Sequence, residues 1–453
     1  ALDQTNASQR ISLRHNFRGL HTRMKQAIFI LFAFVSLFAN GQSQTAHKTL
    51  IRYATAHLGN GEKIDNSYIE LQGESITRVA DANTSRINES DYDTIIEADG
   101  KHTYPGFIIM DSRLGLTEID AVLASHDYQE VGDFLPNVRA LPAFNSESKI
   151  IATVRTNGVL MAQIAPTGLG ISGQSSAVHF NGWNWQDATI KADEGVFLTW
   201  PDRYRSTGWW AEPGKSKVNK SYGEQVTTIK DYFTEAWAYS KDSTQQEKNL
   251  RFEAMRGVYN NSKRLYVRVG WAKDILDVVQ FIRALGIKKA TIIGGAEAHL
   301  VTTELRENNI SVIVDRVHKL PAHEDSPIDE PYRIASTLVK DGVAVAFATS
   351  GGMEAMISRN LPFQVGTAVQ YGLEYEIAIQ SITQTPAMLM GIDDTFGTLE
   401  SGKSATLFIS EGDALDITSN NIKVAFVNGN LIDLTNHQTE LFEKFAKKLG
   451  VAP

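Results

Sequence analysis

A (β/α)8 TIM-type barrel with a small β-sandwich assembled from both chain ends is the fold class that this sequence of 453 residues predicts. Three observations point to it. Strand-sized apolar runs alternate with helix-period segments between residues 105 and 402, which favours a parallel sheet with helices outside. Short period-two stretches broken by Gly and Asn turns occupy both ends. The length suits one barrel-sized domain plus a smaller one.

In chain order, the first methionine is Met24, followed by Lys25 and an apolar run from Ala27 to Ala39. Ala39-Asn40-Gly41 supplies small residues before Gln42, so 24–41 reads as a secretory signal peptide and 1–23 as an upstream extension. The run is too short to span a bilayer comfortably, and no later segment is long and apolar enough. The expectation is an exported chain, periplasmic or extracellular, with no stable membrane span after processing. Without residues 1–41 the chain carries 39 basic and 51 acidic residues, a net −12, a poor match to nucleic acid or anionic membranes. Cysteine is absent, which excludes disulfides, thiolate metal sites and a cysteine nucleophile.

Residues 42–104 and 403–453 form the composite β-sandwich of this reading. Ile51-Arg-Tyr-Ala-Thr-Ala, Ser67-Tyr-Ile-Glu-Leu and Ser75-Ile-Thr-Arg-Val alternate at one end, and Ala405-Thr-Leu-Phe-Ile and Val424-Ala-Phe-Val at the other. Between them, residues 105–402 make the barrel. Its predicted strands are Phe107–Met110, Val159–Ile164, Val196–Trp200, Leu265–Val269, Ala290–Ile293, Ser311–Val314 and Val343–Phe347, with Ala177–Phe180 as the eighth. Ile275, Val278, Val279 and Ile282 recur at i, i+3, i+4, i+7 and predict a helix packed on that barrel. The segment 201–264 breaks the rhythm with Trp209, Trp210, Tyr222, Tyr232, Phe233, Trp237 and Tyr239, and reads as an insertion over the barrel mouth.

Several motifs in order then resemble a known family. They are Tyr104-Pro105-Gly106-Phe107, Pro166-Thr-Gly-Leu-Gly-Ile-Ser-Gly, Gly294-Gly-Ala-Glu-Ala, Arg359-Asn-Leu-Pro, Ile382-Thr-Gln-Thr-Pro-Ala-Met-Leu-Met-Gly and Gly397-Thr-Leu-Glu-Ser-Gly-Lys-Ser-Ala. Together they resemble the amidohydrolase superfamily, in its imidazolonepropionase-like and dipeptidase-like branch, over Thr49 to Leu434. That resemblance implies metal ligands at strand ends. The His-x-His of the first strand falls on Asp111 and Arg113, the histidine of the fifth on Arg268, the histidine of the sixth on Gly294, and the aspartate of the eighth on Ser350 or Gly351. A bridging lysine of the fourth strand has no counterpart in Val196-Phe-Leu-Thr-Trp.

Arginine stays protonated and offers no lone pair, so Arg113 and Arg268 cannot be ligands. The usual chemistry uses a metal to lower the pKa of bound water and a carboxylate to take its proton, and here both parts are expected to be missing. No metal cofactor is therefore expected. In its place the residues suggest an Arg–Asp–Arg cluster of Asp111, Arg113 and Arg268, either self-satisfied or holding a small anionic or peptide-like ligand. Glu297 and His299 are the candidates for a relocated site, although a packing role for His299 is the simpler reading. His179 is a further group that can face the mouth. The expectation is a non-catalytic or regulatory binding subunit, partnered by an intact amidohydrolase paralogue or forming a homo-oligomer. The alternative is an active hydrolase of non-peptide carbon–nitrogen bonds or short peptides, working through a non-standard site, with zinc or another divalent metal as cofactor only in that case. A third reading is a small-molecule binding protein with the Trp209–Trp210 region as its cover.

Overall fold

A computed structural model describes residues 47–208, 212, 214–242 and 247–451. Residues from 47 onward form one compact unit. The signal-peptide and extension segments, and the pair Trp209–Trp210, lie outside the described residues. No helix among the described residues is long and apolar enough to cross a membrane.

The chain enters through an antiparallel meander of β1 (Lys48–His57), β2 (Lys63–Gln72) and β3 (Ser75–Asp81). The short β4 (Thr94–Glu97) and β5 (His102–Pro105) both run parallel to β1, β4 along residues 49–52 and β5 along 55–56. The switch of partner falls at a bulge where Tyr53 has φ 71°, as expected where an extra residue bends a strand.

The barrel then follows as β6 (Phe107–Ser112), β7 (Val159–Ile164), β8 (Gly170–His179) and β9 (Thr189–Thr199). A two-stranded hairpin, β10 (Tyr204–Ser206) and β11 (Ser216–Val218), interrupts it. It resumes with β12 (Arg264–Val269), β13 (Ala290–Gly294), β14 (Ser311–Val314) and β15 (Val345–Phe347). These eight strands pair in the order β6-β7-β8-β9-β12-β13-β14-β15, and a bridge between Met110 and Ala348 brings the two edges together. The chain returns to the first sheet through β16 (Leu407–Ser410), β17 (Ile422–Val427) and β18 (Asn430–Leu431), with β16 antiparallel to β5. One sheet is thus built from both ends of the chain.

One strand departs from the parallel expectation. β8 runs antiparallel to both β7 and β9. Only residues 165–169 join β7 to β8, which is too short for the crossover a parallel neighbour requires. The eighth strand is also longer than the predicted Ala177–Phe180, and because it runs downward, His179 lies at the bottom of the barrel. There His179 Nε2 meets the Asp187 carbonyl at 2.9 Å, so it does not face the mouth.

Several barrel strands read as largely apolar runs because both faces are covered. On β6, Phe107 and Ile109 pack outward under the helices while Ile108 and Met110 point inward. Leu265, Val267 and Val269 of β12 pack outward in the same way, with Tyr266 inward. The helix Gln384–Met390 closes the bottom, contributing Ala387, Leu389 and Met390 to the inner core. Its last carbonyls are satisfied from the barrel: Leu389 accepts from Arg264 Nε at 2.8 Å, and Met390 and Gly391 accept from Lys191 Nζ at 2.9 and 3.0 Å.

The segment 201–264 divides in two. Helices Tyr222–Lys241 and Leu250–Tyr259 bury Val226, Ile229, Phe233, Met255 and Val258 in the outer core, where a barrel helix belongs. Among the described residues the β10–β11 hairpin is the extra part, and the greater part of this segment is ordinary barrel wall and not an insertion over the mouth.

Candidate functional site

The C-terminal ends of the parallel strands converge on a cavity of about 390 Å³, lined among others by Asp111, Arg113, Arg268, Gly294, Asp315 and Ser350. Asp111 enters it because β6 bulges. The register with β7 slips between Ile109 and Ser112, and Asp111 takes φ 48°, a left-handed conformation that Asp tolerates better than most residues. Arg268 is the next inward residue after Tyr266 on β12. Its Nη2 donates to Asp111 Oδ1, its Nε lies 3.3 Å from Asp111 Oδ2, and Nη2 also reaches the Pro166 carbonyl at 3.0 Å. Ser350 donates to Asp111 Oδ2 at 2.7 Å, and the guanidinium lies over the Phe197 ring, 4.7 Å from its centroid. With side-chain exposures of 3% for Asp111 and 18% for Arg268, this pair is shielded from water, and the carboxylate has both oxygens engaged.

Arg113 does not join that pair. It donates to the Gly351 carbonyl and stacks on Tyr128, 4.6 Å from the ring centroid. The expected Arg–Asp–Arg cluster is therefore one ion pair plus a separate arginine at the rim. Behind them, the sequence reading missed Glu354. It is buried at the start of the short helix after β15, and accepts from Arg113 N at 2.8 Å and from the hydroxyls of Ser112 and Ser358, each at 2.9 Å. Burial raises its carboxyl above the usual range against those three donors. Glu354 thereby fixes the end of β6, the strand that delivers Asp111.

A second buried network sits lower in the barrel. Gln163 accepts from Asp111 N at 3.2 Å and donates to Glu194 Oε1 at 2.6 Å, and Ser175 donates to the same oxygen. The Tyr266 hydroxyl lies 3.0 Å from Glu194 Oε2 and 3.2 Å from the Leu389 carbonyl. That hydroxyl holds one proton and the Leu389 oxygen can only accept, so both contacts are satisfied when Glu194 is a protonated acid that donates to Tyr266. Burial acts in the same direction, raising the Glu194 carboxyl above its ordinary value. Nothing in spacing or motif singled out Gln163, Ser175, Glu194 and Tyr266, because inward-facing residues on four strands are far apart in sequence. Tyr266 fits only because residue 195 is glycine: a Cβ there would run into its ring. Gly195→Ala is expected to cost about 1–3 kcal/mol by overpacking, measurable as a shift of the urea midpoint with unchanged slope.

Glu297 and His299 do not form a relocated site. Glu297 caps the helix Ala272–Ala284 by accepting from Ala272 N at 2.7 Å, and its other oxygen meets His323 Nε2 at 2.6 Å. That bond raises the His323 pKa. His299 faces Glu330 at 3.8 Å, which agrees with its simpler packing role. Gly294 and Ser350 do reach the cavity, as the strand ends predict. Asp315, at the end of β14, was not singled out by sequence; it lies 3.6 Å from Lys319, and burial raises its carboxyl above the normal range.

The donor set does not suit a divalent metal. Asp111 already holds Arg268 and Ser350, a second guanidinium, Arg113, lines the same cavity, and Asp315 faces Lys319. Among the described residues no three of His, Cys, Asp and Glu are grouped to hold an ion.

The architecture and motifs have counterparts in known proteins. A family model, the amidohydrolase family, matches residues 241–432. An amidohydrolase from Thermotoga maritima MSB8 superposes with a TM-score of 0.71 at 22% identity, covering 85% of this chain and 99% of that one. The imidazolonepropionase of Flavobacterium psychrophilum is 27% identical over 168 residues. Residues 241–432 thus match the amidohydrolase family. A Xaa-Pro dipeptidase with methionine bound in its active site has a TM-score of 0.52 at 15% identity, covering 85% of this chain and 100% of that one, a likeness of fold. The match to the imidazolonepropionase takes in 33% of this chain and 41% of that protein, so the chain matches less than half the length of this relative.

Proposed function

We propose that this amidohydrolase-family chain is a non-catalytic binding or regulatory subunit, exported and associated with an intact member of its superfamily. The observation that carries the reading is the Asp111–Arg268 pair with Ser350, seated where the resemblance puts catalytic metal ligands. A guanidinium there supplies positive charge but no exchangeable coordination site, so it neither activates water nor polarises a carbonyl as a metal does. Asp111 has both oxygens engaged, while Arg268 commits Nε and Nη2 to it and keeps a buried Nη1 without a partner. A ligand at the mouth also meets Arg113 and Lys319 at the rim. Export rests on the 24–41 segment, and the partner on the habit of such barrels to assemble.

Elemental mass spectrometry of the purified chain, before and after incubation with zinc, iron and manganese, tests this reading together with assays on lactams, small amides and dipeptides. The expected result is far less than one equivalent of metal and no turnover. One or two tightly held equivalents, or metal-dependent hydrolysis, would overturn it.

A second reading, hydrolysis through a non-standard site, is favoured by one feature: the half-buried Asp315 carboxyl on the cavity wall, whose desolvation raises its pKa above the usual value. Metal-free turnover lost in Asp315→Asn would select this reading over the first.

A further inference from the structure

Away from the mouth, the sheet built from both chain ends meets the rest of the protein at a buried cluster of ionisable side chains. His57 ends β1, His102 and Tyr104 lie on β5, and Tyr375 and Glu376 begin the helix Tyr375–Gln380. His57 Nδ1 is 2.9 Å from Glu376 Oε1, and His57 Nε2 is 3.0 Å from His102 Nδ1. The His57 and Glu376 side chains are only 5% and 11% exposed. The His57 ring lies flat on Tyr104, with centroids 4.4 Å apart and planes 1° apart, and Phe408 of β16 also stacks on Tyr104 at 5.2 Å. The Tyr104 and Tyr375 hydroxyls are 3.1 Å apart, and Tyr375 donates to Asp413 at 2.6 Å. Strands from both chain ends and a helix that follows the last barrel strand are thus joined at one place.

Hydrogen-bond chemistry limits how many protons this cluster can hold. The contact between His57 Nε2 and His102 Nδ1 needs one nitrogen with a proton and one without. Glu376, as a carboxylate, accepts from His57 Nδ1. The pair then has room for one added proton: an imidazolium at either ring donates across the contact, and the Glu376 charge balances it. A second proton sets two N–H groups on two cations against each other, and the contact must open. Other charges face the pair. Glu376 and Asp413 favour a charged His102, whereas Lys63, opposite His57 on β2 and paired with Asp65 at 2.7 Å, disfavours it. Burial, followed by His57, outweighs the two acids and holds the His102 pKa below its ordinary value.

We infer that the His57–His102–Glu376 cluster is an acid-sensitive lock on the seam between the composite sheet and the barrel, closed with at most one added proton and opened by the second. As pH falls through about 6.5 the unfolded chain takes up a proton on each histidine, while the closed lock takes up one. With the folded-state pKa of His102 depressed, the stability linked to it is present above about pH 6.5 and is lost as pH falls below that value. A difference of one proton lowers the folding equilibrium constant by up to about tenfold per pH unit. This inference is independent of whether the barrel mouth is catalytic.

Urea unfolding of the purified chain at intervals between pH 8 and 5.5 tests the lock, with His102→Asn and Glu376→Gln beside wild type. Asparagine does not titrate and can either donate to or accept from His57 Nε2. The folding equilibrium constant of wild type is expected to fall below pH 6.5 more steeply than that of His102→Asn, their ratio changing by up to about tenfold per pH unit. Glu376→Gln removes the counter-charge for the first proton and is expected to make the fall steeper than in wild type. The other histidines are present in all three chains and cancel in the comparison. Hydrogen exchange of wild type, corrected for its intrinsic pH dependence, is expected to accelerate below pH 6.5 at residues 57–63 and 101–105 ahead of the barrel strands. Equal slopes in wild type and His102→Asn would overturn the inference, as would a Glu376→Gln chain no steeper than wild type, or exchange at 57–63 and 101–105 that only keeps pace with the barrel.

Discussion

Arg268→Met lowers folding stability by about 3–5 kcal/mol, and adding Asp111→Asn to it returns most of the loss. The reason is burial. Asp111 and Arg268 neutralise each other in a site nearly closed to water, with Ser350 bonding the carboxylate and the Pro166 carbonyl accepting from the guanidinium. Removing either charge alone leaves the other without its counter-charge in a medium where an unpaired ion is costly. Removing both leaves a neutral amide, which Ser350 can still bond, beside a methionine of similar length lying over Phe197. Asparagine is the right replacement because it tolerates the left-handed backbone at φ 48° that a β-branched residue would not. Urea denaturation of wild type, both single variants and the double variant closes the cycle. A coupling energy near zero would mean that the pair is solvated and interchangeable, and would remove the main support for a structural role at the mouth.

Glu194 is expected to show the second large effect, with a pH signature. Glu194→Ala deletes the acid that joins Gln163, Ser175 and Tyr266, leaving buried polar groups and a void, for a loss of about 3 kcal/mol or more. Glu194→Gln places an amide where the protonated acid stood, with its oxygen accepting from Gln163 and Ser175 and its nitrogen donating to Tyr266. The direction with pH follows from linkage. The folded-state pKa is raised above the unfolded value of 4.5, so the stability contributed by the protonated acid is fully present below pH 4.5 and is lost as pH rises through the folded pKa. The glutamine variant does not titrate. Its stability relative to wild type is therefore expected to be level in acid and to improve above pH 4.5, by up to about 1.4 kcal/mol per pH unit until the folded pKa is passed. A difference independent of pH between 4 and 8 would mean that Glu194 is ionised in the folded protein.

Local chemistry carried a large part of this protein into view from sequence. Residues 107–110, 159–164, 265–269, 290–293 and 311–314 announced themselves as continuous apolar runs, and strands covered on both faces need nothing else. The face of Ile275, Val278, Val279 and Ile282 did the same for its helix, since an amphipathic period is written in adjacent turns. The positions of Asp111, Arg113, Arg268, Gly294 and Ser350 at one cavity were also legible, because barrel strand ends converge whatever occupies them.

Three-dimensional packing decided the rest. The short 165–169 link turned the third strand around, a consequence of how few residues separate β7 from β8, which the motif reading passed over. Whether Arg113 or Arg268 met Asp111 depended on which side chain the β6 bulge and the β12 pleat aimed inward, and only one was within reach. Glu297 was drawn off to cap a helix and bind His323, and His299 towards Glu330. The Glu194 network joins residues 12 and more positions apart, Glu354 reaches back 241 and 242 positions to Arg113 and Ser112, and no local pattern encodes contacts of that range. Sequence by itself determined the alternation that makes strands, helices and their order, because those depend on neighbours a few residues away. Tertiary structure alone decided which buried charges meet, because pairing is set by the direction of a side chain in a closed barrel and by the cost of leaving it there without a partner.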